Sequence, residues 1–159
     1  MKNIATFGAG CFWGIEEEFR KLEGVTSTRV GYMGGSKDEP TYEEVCGKTT
    51  GHAEVVEITY DSEKVSYEEL LDKLWEIHDP TQLNKQGSDV GSQYRSVIFS
   101  HNEEQEKLAL NSIKKLEESN RYSNPIVTTV ESAESNTFWE AEEYHQQYIH
   151  KKGGGTCHV

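Results

Sequence analysis

Of the three cysteines in the chain, Cys11, Cys46 and Cys157, Cys11 has the position that best suits chemistry. It lies in Gly10-Cys11-Phe12-Trp13-Gly14, just after a short apolar run from Asn3 to Ala9. Phe12, Ile15, Phe19 and Leu22 then recur at helical spacing. A cysteine where a strand turns into a helix sits at the positive end of the helix dipole, beside backbone N–H groups that favour an anion. That placement lowers a thiol's pKa, and the thiolate is the nucleophilic form. A small cysteine packed at a tight helix start fits the same position, so position alone leaves both readings open. Phe12 and Trp13 can wall an apolar pocket around whatever Cys11 attacks, and ordinary core packing is the other use for such a pair.

Glu54 is the second informative residue. Strand alternation puts it on the face of Val56, Ile58 and Tyr60, which is apolar. Burial there disfavours the charged carboxylate, and a carboxyl that holds its proton near neutrality can serve as a general acid. A glutamate solvated or paired at the rim of the sheet satisfies the same alternation.

These residues need elements to hold them. Strands are expected at Asn3 to Ala9, Val25 to Tyr32, Ala53 to Tyr60, Tyr94 to Phe99 and Ile126 to Val130. Helices are expected from Phe12 to Leu22, from Ser66 to Asp79 behind a Ser66/Glu69 capping box, and from Glu103 to Ser119 behind Asn102. A last helix with an aromatic stripe is expected from Phe138 to Ile149, ahead of Gly153-Gly154-Gly155. Strands interleaved with helices predict an α/β (α+β) fold, a two-layer sandwich with a mixed central sheet and packed helices. Residues 1–150 form one catalytic domain in this reading, and 151–159 an irregular, flexible, Gly-rich tail.

A formal net charge of −12 repels phosphate backbones and anionic lipid, which argues against nucleic acid and membrane partners. No apolar run reaches the roughly 18 residues of a membrane span, and the N-terminus lacks a signal-peptide pattern, so a cytoplasmic protein is expected. The cysteines are odd in number and without a Cys-x-x-Cys pair, which argues against a disulfide scaffold and a zinc ribbon. Two rival chemistries remain at this stage. One is a metal site drawing on His150, Cys157 and His158; the other is a cysteine hydrolase using Cys11 with His52 or His145 as base.

Five segments, in order along the chain, carry a resemblance: Gly10 to Gly14, Pro40 to Cys46, Gly51 to Val55, His78 to Thr81 with Gln93 to Ser96, and Glu143 to Tyr148. Together they resemble the peptide methionine sulfoxide reductase A family. The resemblance implies that Cys11 attacks a sulfoxide sulfur, that Glu54 protonates the departing oxygen, and that Tyr42 and Tyr94 donate hydrogen bonds to it. It implies a substrate pocket of Phe12, Trp13, Asp89, His145 and Tyr148, selective for the S epimer, free or peptide-bound. It further implies that Cys157 resolves the sulfenic acid as a Cys11–Cys157 disulfide, which thioredoxin reduces. No cofactor or metal is expected, and a monomer is. Thr156 stands where the family often has an aromatic residue, and no further cysteine follows Cys157. A single-resolver cycle is therefore expected, with Cys46 a non-catalytic bystander.

Overall fold

The computed structural model describes residues 2–47 and 50–151. Among the described residues eight strands form, β1 (Lys2–Ala9), β2 (Val25–Met33), β3 (Ala53–Asp61), β4 (Lys85–Gln86), β5 (Asp89–Val90), β6 (Ser96–Ser100), β7 (Thr129–Ser132) and β8 (Trp139–Glu140). Five α-helices accompany them, α1 (Phe12–Arg20), α2 (Tyr42–Cys46), α3 (Tyr67–Ile77), α4 (Glu103–Glu118) and α5 (Tyr148–Lys151), with 3-10 turns at Ser92–Tyr94 and Glu143–His145. Six strands make one sheet in the order β7-β6-β1-β3-β2-β8, parallel only between β6 and β7, while β4 and β5 form a separate hairpin. The mixed sheet with packed helices is the expected architecture.

Alternation along the strands decides which residues meet the helices. Ala5, Phe7 and Ala9 of β1 and Val56, Ile58 and Tyr60 of β3 join Phe12, Ile15 and Phe19 of α1 and Leu70, Leu71 and Leu74 of α3 in the main core. The opposite face buries Met33, Ala53, Val55, Val97 and Phe99 in a smaller cluster. The expected capping box at α3 forms, Ser66 accepting from Glu69 N–H and Glu69 accepting from Ser66 N–H. Asn102 caps α4 by accepting from Gln105 N–H at 2.8 Å. No described helix is long and apolar enough to cross a membrane.

Three expectations change. Tyr94 belongs to a 3-10 turn, and its strand begins only at Ser96. The strand expected at Ile126 to Val130 runs from Thr129 to Ser132 and is followed by β8. The long last helix is absent, replaced by β8, a 3-10 turn and the one-turn α5. Two glutamines explain this. Gln146 acts like a strand neighbour to Val30, accepting from its N–H at 2.9 Å and donating to its carbonyl at 2.9 Å. Gln147 adopts φ +48° and donates from backbone and side chain to the Glu16 carboxyl at 2.7 and 2.9 Å. These bonds to β2 and α1 hold the segment in a path that a continuous helix cannot follow.

Candidate active site

β1 delivers Cys11 to its place. Gly10 turns the chain with φ +105°, a conformation that side chains resist, and α1 starts one residue after the cysteine. Cys11 is the N-cap, extended at φ −60° and ψ 121°, and half-buried. Gly8 is needed for the same approach: a Cβ there would meet Val97 Cγ1 at 2.7 Å and the Glu54 carbonyl at 3.2 Å. β1 and β3 thus pack closely where Glu54 begins its strand.

Glu54 is 1% exposed and lies on the helix-covered face, as alternation requires. Its Oε1 accepts from the Phe12 N–H at 3.2 Å. The carboxyl is therefore docked on the first turn of α1, against the residue that follows Cys11.

Both Tyr42 and Tyr94 lie within electrostatic reach of Glu54. Burial first, and then the charge of Glu54, push the phenol pKa of both Tyr42 and Tyr94 upward. Both stay protonated donors across the physiological range. Tyr94 also feels Cys46, Asp89 and Cys11, so all four groups share its surroundings. Tyr94 and Asp89 come from the stretch after α3, where Gln86 accepts from Asp79 N–H at 2.8 Å and donates to the Asp79 carbonyl at 2.9 Å.

Tyr42 opens α2, a short helix with a Thr41/Glu44 capping box. Its hydroxyl bonds the Cys46 thiol, whose own pKa is raised, chiefly by burial. Cys46, expected to stand apart from the chemistry, is thus a neighbour of Tyr42, Tyr94 and Glu54.

Aromatic rings enclose the site. Phe12, 1% exposed, lies 5.8 Å from Tyr32, 6.3 Å from Tyr42 and 5.2 Å from His145, centroid to centroid. Trp13 stacks on Tyr148 at 4.0 Å and donates from Nε1 to His145 Nδ1 at 2.9 Å. With Nδ1 accepting, His145 carries its proton on Nε2, and burial lowers its pKa so that it stays neutral. His145 and Tyr148 therefore both contact Trp13, although they are not neighbours on one helix face. An open, mostly polar cavity of about 340 Å³ lined by Asn3, Tyr60, Tyr67 and Gln105 contains none of these residues.

The hydrolase rival finds no base in this arrangement. His52 accepts from Gly35 N–H on Nδ1 at 3.0 Å and donates from Nε2 to the Lys37 carbonyl at 2.6 Å, while His145 Nδ1 is taken by Trp13. Cys157 and the proposed metal ligand His158 lie outside the described residues.

Residues 3–159 match the profile of the family described as peptide methionine sulfoxide reductase. The chain belongs to that family. The reductase is 64% identical over 153 residues to the peptide methionine sulfoxide reductase MsrA of Geobacter metallireducens, covering 96% of this chain and 93% of the relative. Against the MsrA of Methanothermobacter thermautotrophicus the identity is 61% over 155 residues, 98% and 90% of the two chains. Its fold superimposes on the crystal structure of Saccharomyces cerevisiae Mxr1 in reduced form with a TM-score of 0.88 at 37% identity, covering 98% of this chain and 88% of that one. Mxr1 in complex with Trx2 matches with a TM-score of 0.59 at 25% identity, covering 89% and 91%. The reductase is accordingly an oxidoreductase acting on methionine sulfoxide.

Two residues that touch Tyr42 carry no site role in the sequence reading. Cys46, expected to be a non-catalytic bystander, has a spacing of four from Tyr42 on one helix, which is a readable sign of contact. Glu142 accepts from Tyr42 N–H at 3.0 Å and from Tyr32 Oη at 2.8 Å, across separations of 100 and 110 residues that no local pattern records.

Proposed function

We propose that the enzyme reduces the S epimer of methionine sulfoxide, free or in peptides, with Cys11 as nucleophile and Glu54 as acid. The observation that carries this reading is the Phe12 N–H to Glu54 contact, which sets a buried carboxyl beside the cysteine at one helix end. The helix N-terminus favours the Cys11 thiolate. Its sulfur attacks the sulfoxide sulfur and forms an S–S bond as the S–O bond weakens. Sulfoxide oxygen leaves poorly unless protonated, and burial of Glu54 favours the form that carries the proton to give. Tyr42 and Tyr94 donate hydrogen bonds to the same oxygen as charge grows on it.

The protonated oxygen leaves as water, a water molecule then attacks Cys11 Sγ, and the S–S bond breaks to release methionine and a proton, leaving Cys11 as the sulfenic acid; the sulfoxide is thereby reduced by two electrons and Cys11 oxidised by two. Phe12 and Trp13 hold the methyl group, with Asp89, His145 and Tyr148 completing the pocket. Fixing methyl and oxygen on opposite sides of a stereogenic sulfur admits one hand of substrate. Cys157, on the tail of residues 151–159, then attacks the sulfenic sulfur, releasing water and forming a disulfide with Cys11. Thioredoxin reduces that disulfide, a reading supported by the Trx2 complex of Mxr1. No bound cofactor enters the cycle, because thiols supply the electrons.

The test is to trap the intermediate. Cys157→Ser enzyme, given one equivalent of the S-sulfoxide and a sulfenic-acid-selective nucleophile, should carry one adduct, on Cys11. Label on Cys46, or none at all with methionine still formed, would overturn the assignment. In wild-type enzyme, thioredoxin-driven turnover should be present, and in Cys157→Ser it should be lost.

A further inference from the structure

The backbone of Tyr42, a proposed oxygen-binding residue, is held by a distant carboxylate. Glu142 precedes the 3-10 turn of His145 and reaches across to the start of α2. Its Oε2 accepts from the Tyr42 N–H at 3.0 Å, and its Oε1 accepts from the Tyr32 hydroxyl at 2.8 Å. Tyr32 is itself 0% exposed and packs against Phe12, with ring centroids 5.8 Å apart. The Tyr42 ring in turn lies over Phe12, Trp13 and His145 at 6.3, 6.3 and 4.4 Å. One side chain thus ties the first residue of α2 to the wall of the pocket.

We infer that Glu142 is a positioning residue, which acts through Tyr42 by holding its phenol at the place of the sulfoxide oxygen. The inference rests on the proposed role of Tyr42. α2 has only five residues, and its capping box at Thr41 and Glu44 is exposed or half-exposed, so beside the packing of the Tyr42 ring and Val45 the Glu142 carboxylate is the polar contact that fixes its first residue. The carboxylate form is the one held here. Burial acts to raise the Glu142 pKa, but the Tyr42 N–H, its own N–H and the Tyr32 hydroxyl act to lower it, and the net shift is downward. A pair of acceptors set at the right span is what the geometry needs, rather than a charge facing the substrate.

Two substitutions separate position from charge. Glu142→Gln keeps the length: its carbonyl can accept from Tyr42 N–H while its amide donates to the Tyr32 oxygen. Glu142→Asp keeps the charge but is one methylene too short to span both partners. Single-turnover methionine formation should fall roughly tenfold in Glu142→Asp and stay within about threefold of wild type in Glu142→Gln. In a Tyr42→Phe background, which is already slow, Glu142→Asp should cost less than about twofold more, because the hydroxyl it positions is gone. A merely structural loss would slow both backgrounds by the same factor, and that result overturns the inference. Asp retaining the rate while Gln loses it would overturn it too. If Tyr42→Phe alone costs nothing, the role of Tyr42 fails and this inference fails with it; if Tyr42→Phe is slow but the two effects multiply, only the role of Glu142 fails.

Discussion

The proposed mechanism asks opposite protonation states of two groups at one helix end. In the proposed mechanism the thiol there acts as its anion, and the carboxyl, buried to 1% exposure, acts as its acid. Glu54→Gln keeps the volume and the acceptor for Phe12 N–H but cannot give up a proton in the same way. Its single-turnover rate should fall by about 10²-fold or more while substrate still binds, which rapid-quench kinetics over a range of sulfoxide concentrations will show. The phenols make a different prediction. Because burial and Glu54 push their pKa values upward, Tyr42 and Tyr94 do not titrate between pH 6 and 9. Tyr94→Phe should therefore lower the rate by a nearly constant factor of roughly tenfold at every pH in that range. A loss confined to one end of the profile would show that the phenol acts as an acid or base.

The elements that carry these residues are locked by a few long-range polar contacts, and the C-terminal segment most of all. Gln146→Ala would leave Val30 N–H without its acceptor in a buried place, while the Val30 carbonyl keeps a bond from Ala141 N–H. A loss of about 1–3 kcal/mol in urea unfolding is expected. Glu16 sets a pH dependence. It is 1% exposed, and burial raises its pKa from 4.5 despite bonds from Thr28 and Gln147. The folded protein thus holds a proton that the unfolded chain releases, so the stability from this group is full below pH 4.5 and is lost as pH rises through the folded-state value. Glu16→Gln should remove that downward slope in the unfolding free energy, and an unchanged slope would assign it to another group. The same contacts explain what sequence could and could not reveal. The Cys11 helix, the Ser66 capping box and the buried face of Glu54 are written in neighbouring residues, so periodicity finds them. Phe138, Trp139, Tyr144 and Tyr148 imitate a helical stripe, but the bonds deciding their path span 116 and 131 residues.

At the scale of the whole molecule, local patterns sufficed for the mixed sheet with helices on its main core, but not for the convergence of distant segments on one pocket. Tyr42, Tyr94 and His145 come from α2 and two 3-10 turns, each too short to announce itself by periodicity, so the family resemblance is what names them. Charge gives the remaining prediction. A net charge of −12 should favour sulfoxide peptides flanked by lysine over those flanked by glutamate. The ratio of their kcat/KM values should shrink towards unity as salt rises to about 0.5 M, because screening then reaches within a few ångströms. A ratio independent of salt would point to direct contacts with the flanking residues.

The most direct test counts methionine formed per enzyme from the S-sulfoxide with no reductant present. Wild type, Cys46→Ser and Cys157→Ser should each form at least one equivalent, and Cys11→Ser none. Methionine from the Cys11→Ser enzyme would contradict the account at its base.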